Sequence, residues 1–310
     1  MSPRSRVATA RTRPACVLLG CGAFRVGQGP SRRINPQQSY ESFGQGGHRP
    51  GEPRVVNRVR TQGRNWVRVI SGEERPAARL VCFPHSGGTA AAYRDWSSAM
   101  PAGTQLLAVQ YPGLADRIRE APAGLITEIA SCVGAELSLL DPARCVLFGH
   151  SLGALAAYET ARVLQAVGRP AHGLVVSGSL APGQAHGGAM HRAGDAELWS
   201  ILRDFGGIDP SIADDQELRD LLLPPLRAYI ELTETYRPAA GPEPLHCQVR
   251  CHYNTGDPLM DPARVEPWAA VTTGRTGVRV RPGGHFGSLS EPSELIADIS
   301  EVLLEGPALP

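Results

Sequence analysis

Gly149-His150-Ser151-Leu152-Gly153 lies between two stretches of opposite character. The run before it, Arg144–Phe148, is short and apolar, of buried-strand type. The run after it, from Leu152 to Val167, has a helical pattern stopped by Gly168 and Pro170. Strand, G-x-S-x-G and helix in that order commit the chain to a very tight turn that presents a serine hydroxyl on strained backbone. Both glycines are needed, because a side chain at Gly149 or Gly153 would collide with the neighbouring strand or helix. The helix N-terminus beneath supplies free N–H groups and a positive dipole end, which suit an oxyanion.

The remaining pattern is consistent with that turn. At 310 residues the chain holds one large domain or two small ones. From Asn65 onward, strand patterns at Trp66–Ile70, Arg79–Pro84, Gln105–Tyr111, Arg144–Phe148, Gly173–Ser177, Gln248–Tyr253 and Gly277–Arg281 alternate with helical ones at 90–99, 124–140, 152–167, 262–270 and 291–304. Val, Leu and Cys dominate most of the strands, as parallel strands covered on both faces require. This predicts an α/β fold with a mostly parallel central sheet flanked by helices. The alternation breaks at about 181–237, where a Gly/Ala/Pro/His loop precedes helical patterns near 195–205 and 215–236. The segment reads as an inserted helical lid, in which the apolar run Leu221–Leu226 either packs as an ordinary helix pair or lines the cover, two compatible readings.

Charge divides the chain differently. Residues 1–64 carry twelve arginines against Glu41 and Glu52, whereas the other 19 of the 31 basic residues face 28 acidic ones in residues 65–310. The basic, Gly/Pro/Ser/Gln-rich segment 1–64 reads as a disordered extension, and 65–310 as the folded domain. The chain contains no lysine, which removes Schiff-base and Ser-Lys chemistry. Seven cysteines without a regular framework point to a reducing compartment. Cys247 and Cys251, flanked by His246 and His252, lack a second ligand pair and read as strand residues, so no metal is expected. Arg-rich residues 1–13 followed by Ala15–Phe24 faintly resemble an export signal, but the apolar core is short and interrupted, so the expected location is the cytoplasm. No stretch is long enough to span a bilayer.

A serine hydroxyl needs a base, and the base needs an orienting acid. His285, in Arg281-Pro282-Gly283-Gly284-His285-Phe286, follows the last predicted strand and precedes the final helix. His172, His186, His191, His246 and His252 lie on strands or in the lid loop. Asp257, in Asn254-Thr255-Gly256-Asp257-Pro258, follows the strand Gln248–Tyr253 directly. Asp261 is the competing acid, although it also suits a helix cap, and Asp195 lies deep in the insertion. The order Ser151, Asp257, His285 is that of an α/β hydrolase. The oxyanion donors are expected to be the N–H of Leu152 and, from Cys82-Phe83-Pro84-His85-Ser86-Gly87-Gly88, the N–H of Ser86. A phosphate loop is disfavoured by the lack of G-K-[ST] and G-x-G-x-x-G.

The set resembles the type II thioesterases that accompany polyketide synthases and nonribosomal peptide synthetases, within the α/β-hydrolase superfamily. The segments that carry the resemblance are Phe83–Gly88, Tyr93-Arg94 with Trp96, Ala108–Gly113 with Asp116-Arg117, Phe148–Ala154, Leu221–Ala228, Glu234–Tyr236, Asp257-Pro258, Trp268 and Gly283–Phe286. The resemblance implies Ser151 as nucleophile, His285 as base, Asp257 as orienting acid, and backbone donors at Leu152 and Ser86. It implies hydrolysis of acyl groups from the phosphopantetheine arm of an acyl or peptidyl carrier protein, without a cofactor. The sequence departs from the family at Ser86, usually Ala, and at Leu114-Ala115, usually Arg-Gly. It departs again at Phe286-Gly287-Ser288, usually Phe-Phe-Leu, which implies looser packing behind the base. A general esterase or lipase of the same fold, or a non-catalytic carrier-binding protein, are the alternatives. The expected partner is the carrier protein, with no nucleic acid or membrane, and the expected state is a monomer.

Overall fold

The structure, a computed structural model, describes residues 66–184, 187–260 and 266–305. The extension 1–64, His186, Asp261 and the start of the helix expected at 262–270 lie outside the described residues. Seven strands form one sheet: β1 (Val67–Ser71), β2 (Ala78–Phe83), β3 (Thr104–Val109), β4 (Arg144–His150), β5 (Gly173–Ser177), β6 (Gln248–Asn254) and β7 (Thr276–Arg281). Their order is β1-β3-β2-β4-β5-β6-β7. Only the β1–β3 pair is antiparallel, so β2 through β7 point the same way and their C-terminal ends share one edge.

Period-two alternation on both faces explains the architecture. Leu80, Cys82, Leu106, Ala108, Val146 and Phe148 pack into one core with α6 (Ser293–Leu304) and the 3₁₀ segment Ala90–Ala99. Val81, Phe83, Leu107, Val109 and Leu147 pack into the other with α1 (Ile126–Ser138) and α2 (Leu152–Ala166). Each fully buried Val or Leu stabilises the fold by roughly 1.5–3 kcal/mol, which is why the strands read as continuous apolar runs. This is the α/β-hydrolase fold expected from the sequence. Two helical predictions change in kind: 90–99 is 3₁₀, and the described part of 262–270 is a 3₁₀ turn at Glu266–Val271.

Strand β7 is an outer strand whose Val278 and Val280 are exposed, unlike the buried strands inside. Charge holds this side together. Asp298 on α6 accepts from Arg250 at 2.6 Å and Arg279 at 3.2 Å, and pairs with His252 Nε2 at 2.8 Å. Burial pushes the Asp298 carboxyl up, but His252 together with Arg250 and Arg279 outweighs it and holds the group at about 2. An unfolded Asp titrates near ~3.9, so the contribution is fully present above that value and is lost as pH falls towards 2. Asp298→Asn is expected to cost about 2 kcal/mol at neutral pH, somewhat less than a fully buried pair, because Arg250 keeps Glu301 and Glu305. Urea midpoints measured from pH 7 to pH 2 should show the gap between wild type and variant closing below about pH 4. A gap independent of pH would mean that the carboxylate charge is not its source.

The insertion after β5 contains α3 (Asp195–Asp204) and α4 (Gln216–Thr235). Asp215 caps α4 by accepting from the Leu218 N–H at 3.0 Å. Leu222, Leu223, Leu226 and Ile230 of α4 pack with Leu198, Trp199 and Ile208 into a core belonging to the insertion itself. Of the two readings of Leu221–Leu226, a packed helix pair and an apolar lining of the lid, the structure supports the first. Leu222, Leu223 and Leu226 serve the insertion's own core, while Leu221 faces solvent at 53 % exposure.

Candidate active site

Ser151 sits between β4 and α2 with φ 55° and ψ −121°, one of two described non-glycine residues with positive φ. Such backbone is costly and persists only where the surroundings impose it. The Ser151 N–H donates to Ser177 O on β5 at 2.9 Å, and its carbonyl accepts from the Ala154 N–H at 2.9 Å. A Cβ at Gly149 would strike the Gly153 carbonyl, and one at Gly153 would strike the Phe83 carbonyl at the end of β2. The two predicted collisions are therefore with the helix start and the adjacent strand respectively.

The β2 loop is braced from behind by residues that the motif segments contain. The Tyr93 hydroxyl donates to Phe83 O at 3.2 Å and the Tyr111 hydroxyl to Pro84 O at 2.9 Å. Among the described residues, no protein acceptor receives the N–H of Leu152 or of Ser86. The other positive-φ residue is Ala115, at φ 50°, where the family usually has glycine.

Asp257 and His285 meet as the chain order requires. His285 Nδ1 lies 2.7 Å from Asp257 Oδ2, with the aspartate side chain fully buried and the imidazole 4 % exposed. The other carboxylate oxygen accepts from the Leu259 N–H at 2.9 Å. Asn254 joins the two loops: its Nδ2 donates to Gly284 O at 2.7 Å and its Oδ1 accepts from the Ser288 hydroxyl at 2.9 Å. Ser288 is thus buried and bonded, so the Gly287-Ser288 departure replaces packing with a polar tie rather than loosening the base. Sequence reasoning missed Asn254 and Ser288; the only signal was an Asn at the end of a strand, next to the acid.

Three histidines and Phe286 crowd the same place. The His150 ring is wholly buried, 4.8 Å from that of His285, and its Nδ1 lies 3.2 Å from the Ser177 hydroxyl. Burial, then the neighbouring His285 and His85, holds His150 well below the ordinary histidine value, so it stays neutral. A Cβ on Gly178 would fall 2.6 Å from His150 Cε1 and 3.2 Å from His285 Cε1. That glycine seats both rings and is a third residue that sequence reasoning missed.

Ser151, Ser86 and His285 open into a cavity of about 420 Å³. The insertion walls it with Met190, Leu202, Phe205 and Ile230, and the Phe205 ring centroid lies 6.4 Å from that of His285. Glu234 on α4 fastens the wall: it accepts from the N–H groups of Met190 (2.8 Å) and His191 (3.0 Å) and pairs with the His191 ring. Cys247 and Cys251 lie away from this cavity, and burial raises their thiols to about 11 and about 12. Among the described residues no group of His, Cys, Asp or Glu is arranged to hold a metal ion, and no helix is long and apolar enough to cross a membrane.

A family model of the thioesterase domain matches residues 78–303. The chain belongs to the thioesterase family. Thioesterase PikA5 of Streptomyces venezuelae is 37 % identical over 243 residues, which cover 77 % of this chain and 85 % of that protein. Among solved structures, the type II thioesterase BorB from the borrelidin biosynthetic cluster superposes with a TM-score of 0.71 at 33 % identity, covering 77 % of this chain and 97 % of that one. YbtT, the type II thioesterase of the yersiniabactin NRPS/PKS pathway, gives 0.70 at 29 % identity, covering 77 % and 98 %. The resemblance drawn from the motifs, to type II thioesterases of such clusters, is borne out. This thioesterase keeps the family's segment order from β2 through α6.

Proposed function

We propose that the protein is an editing thioesterase that releases acyl groups from the phosphopantetheine arm of acyl or peptidyl carrier proteins in polyketide or nonribosomal peptide synthesis. The observation that carries this is the buried Asp257–His285 pair, whose imidazole opens, with the elbow serine, into a cavity with largely apolar insertion walls. His285 takes the Ser151 proton as the oxygen attacks the thioester carbonyl, and Asp257 orients the ring and stabilises the imidazolium. The N–H groups of Leu152 and Ser86 hold the oxyanion. The tetrahedral intermediate expels the pantetheine sulfur, which receives the proton from His285. Water then gives a proton to His285 and attacks the acyl-serine, and collapse returns the Ser151 hydroxyl and a free carboxylic acid. Ser, His and Asp suffice for these steps, so no cofactor is invoked. The similarity to PikA5, BorB and YbtT supports a carrier-bound substrate, and the reading places a monomer in the cytoplasm.

A general esterase of the same fold differs in what it prefers. The full chain is expected to hydrolyse an acyl-phosphopantetheinyl carrier protein with kcat/KM at least about tenfold above that for an oxygen ester of the same acyl chain. Equal or better turnover of the oxygen ester would move the protein to the general esterases.

A further inference from the structure

We infer that the cavity selects acyl groups carrying a hydrogen-bond donor, a hydroxyl or an amine, over plain alkyl chains and over chains bearing a second carboxylate. This rests on the proposed reading of the cavity as the acyl site. Beyond Ser86, Ser151 and the histidines at the reacting end, the polar side chains lining it among the described residues are Ser179, Thr233 and Glu234. Their donors are already committed. The Thr233 hydroxyl donates to Tyr229 O at 3.1 Å, and the Ser179 hydroxyl donates to Leu180 O at 3.1 Å. Each keeps oxygen lone pairs, and Glu234 is a carboxylate with acceptor sites only. Its Oε1 accepts a single bond, from the Met190 N–H, which leaves that oxygen one further site.

The side chains on this part of the wall therefore offer acceptors and no hydrogen. A plain alkyl chain covers these oxygens and leaves their remaining acceptor sites unfilled, which is unfavourable beside the apolar walls Leu202, Phe205 and Ile230. A hydroxyl or ammonium on the acyl group restores the missing bond, and an ammonium adds attraction to Glu234. A second carboxylate brings like charge beside Glu234. No arginine lines the described wall, and the chain has no lysine to compensate it. Sites of this kind discriminate because the analogue lacking the group leaves acceptor sites on the wall unfilled.

The test uses the full chain and matched pantetheine thioesters: hexanoyl, 3-hydroxyhexanoyl, 5-hydroxyhexanoyl, 6-aminohexanoyl and adipoyl, with Ser151→Ala as the blank. At least one donor-bearing thioester is expected to exceed hexanoyl in kcat/KM by roughly tenfold to a hundredfold, with adipoyl the poorest. Ser179→Ala combined with Thr233→Val, which removes two acceptors while keeping volume, is expected to bring the donor-to-hexanoyl ratio down several-fold. Ser151-dependent hydrolysis of hexanoyl at a rate equal to or above all three donors overturns the inference and leaves the thioesterase reading standing. So does adipoyl turnover matching the donors. Absence of Ser151-dependent turnover of every thioester overturns the parent reading, and this one with it.

Discussion

Replacing Ser151 with alanine is expected to lower acyl-thioester turnover on the order of 10⁴- to 10⁶-fold while leaving the fold intact. The substitution removes one oxygen, and alanine accepts the same backbone no worse than serine, so the φ 55° turn and its bonds to Ser177 and Ala154 remain. On the proposed mechanism, what is lost is the nucleophile that the Asp257–His285 pair activates. Asp257→Asn is expected to cost less, about 10⁴-fold, because the imidazole persists but loses its orienting charge and correct tautomer. Single-turnover release of a radiolabelled acyl group from a carrier protein, alongside circular dichroism, measures both variants. A folded Ser151→Ala protein with near wild-type turnover would remove the serine mechanism altogether.

Gly153→Ala is expected to destabilise the protein by about 4 kcal/mol or more and to abolish turnover in whatever fraction folds. The added methyl group meets the Phe83 carbonyl, which is main chain at the end of an interior strand and cannot rotate away. Relief requires α2 to move off β2, opening the core where Leu155 and Leu152 are fully buried. For a domain of this size, that loss lowers Tm by roughly 8–16 °C. Differential scanning calorimetry checks it. A Tm within a degree or two of wild type would show that the elbow has slack that the close approach denies. The same displacement shifts the Leu152 N–H away from the loop holding Ser86, so activity should fall further than stability alone dictates.

The elbow was legible in the sequence because its demands are local: two glycines, a strand before and a helix after all lie within about two dozen residues. The positions of Asp257 and His285, the proposed acid and base, were legible because they follow β6 and β7, whose apolar patterns mark strand ends without knowledge of pairing. The residues that hold that pair in register were not. Asn254 finds Ser288 34 residues later, and Gly178 matters because of what two rings from β4 and the β7 loop do in space. Hydrophobicity likewise reported that Leu221–Leu226 would be buried but not against what; their burial went to the insertion's own core. The 3₁₀ winding of Ala90–Ala99 has a similar origin. Buried Tyr93 and Trp96 anchor that segment against Phe148, and tertiary packing overrides the α-helical tendency of its alanines.

The placement of the reacting groups across the sheet has a kinetic consequence. On the proposed mechanism the nucleophile directly follows β4, which has strands on both sides and helices on both faces, whereas the base follows β7, an edge strand with exposed Val278 and Val280. Local opening is cheapest where fewest contacts must be surrendered. Fraying of that one strand is expected to separate His285 from Ser151 while the centre of the sheet stays ordered. Working lifetime under heat or denaturant is therefore expected to follow the rim and the Arg279–Asp298 and Arg281–Glu294 pairs that tie β7 to α6, more than the depth of the core. Catalytic durability and global stability become two different properties of one chain.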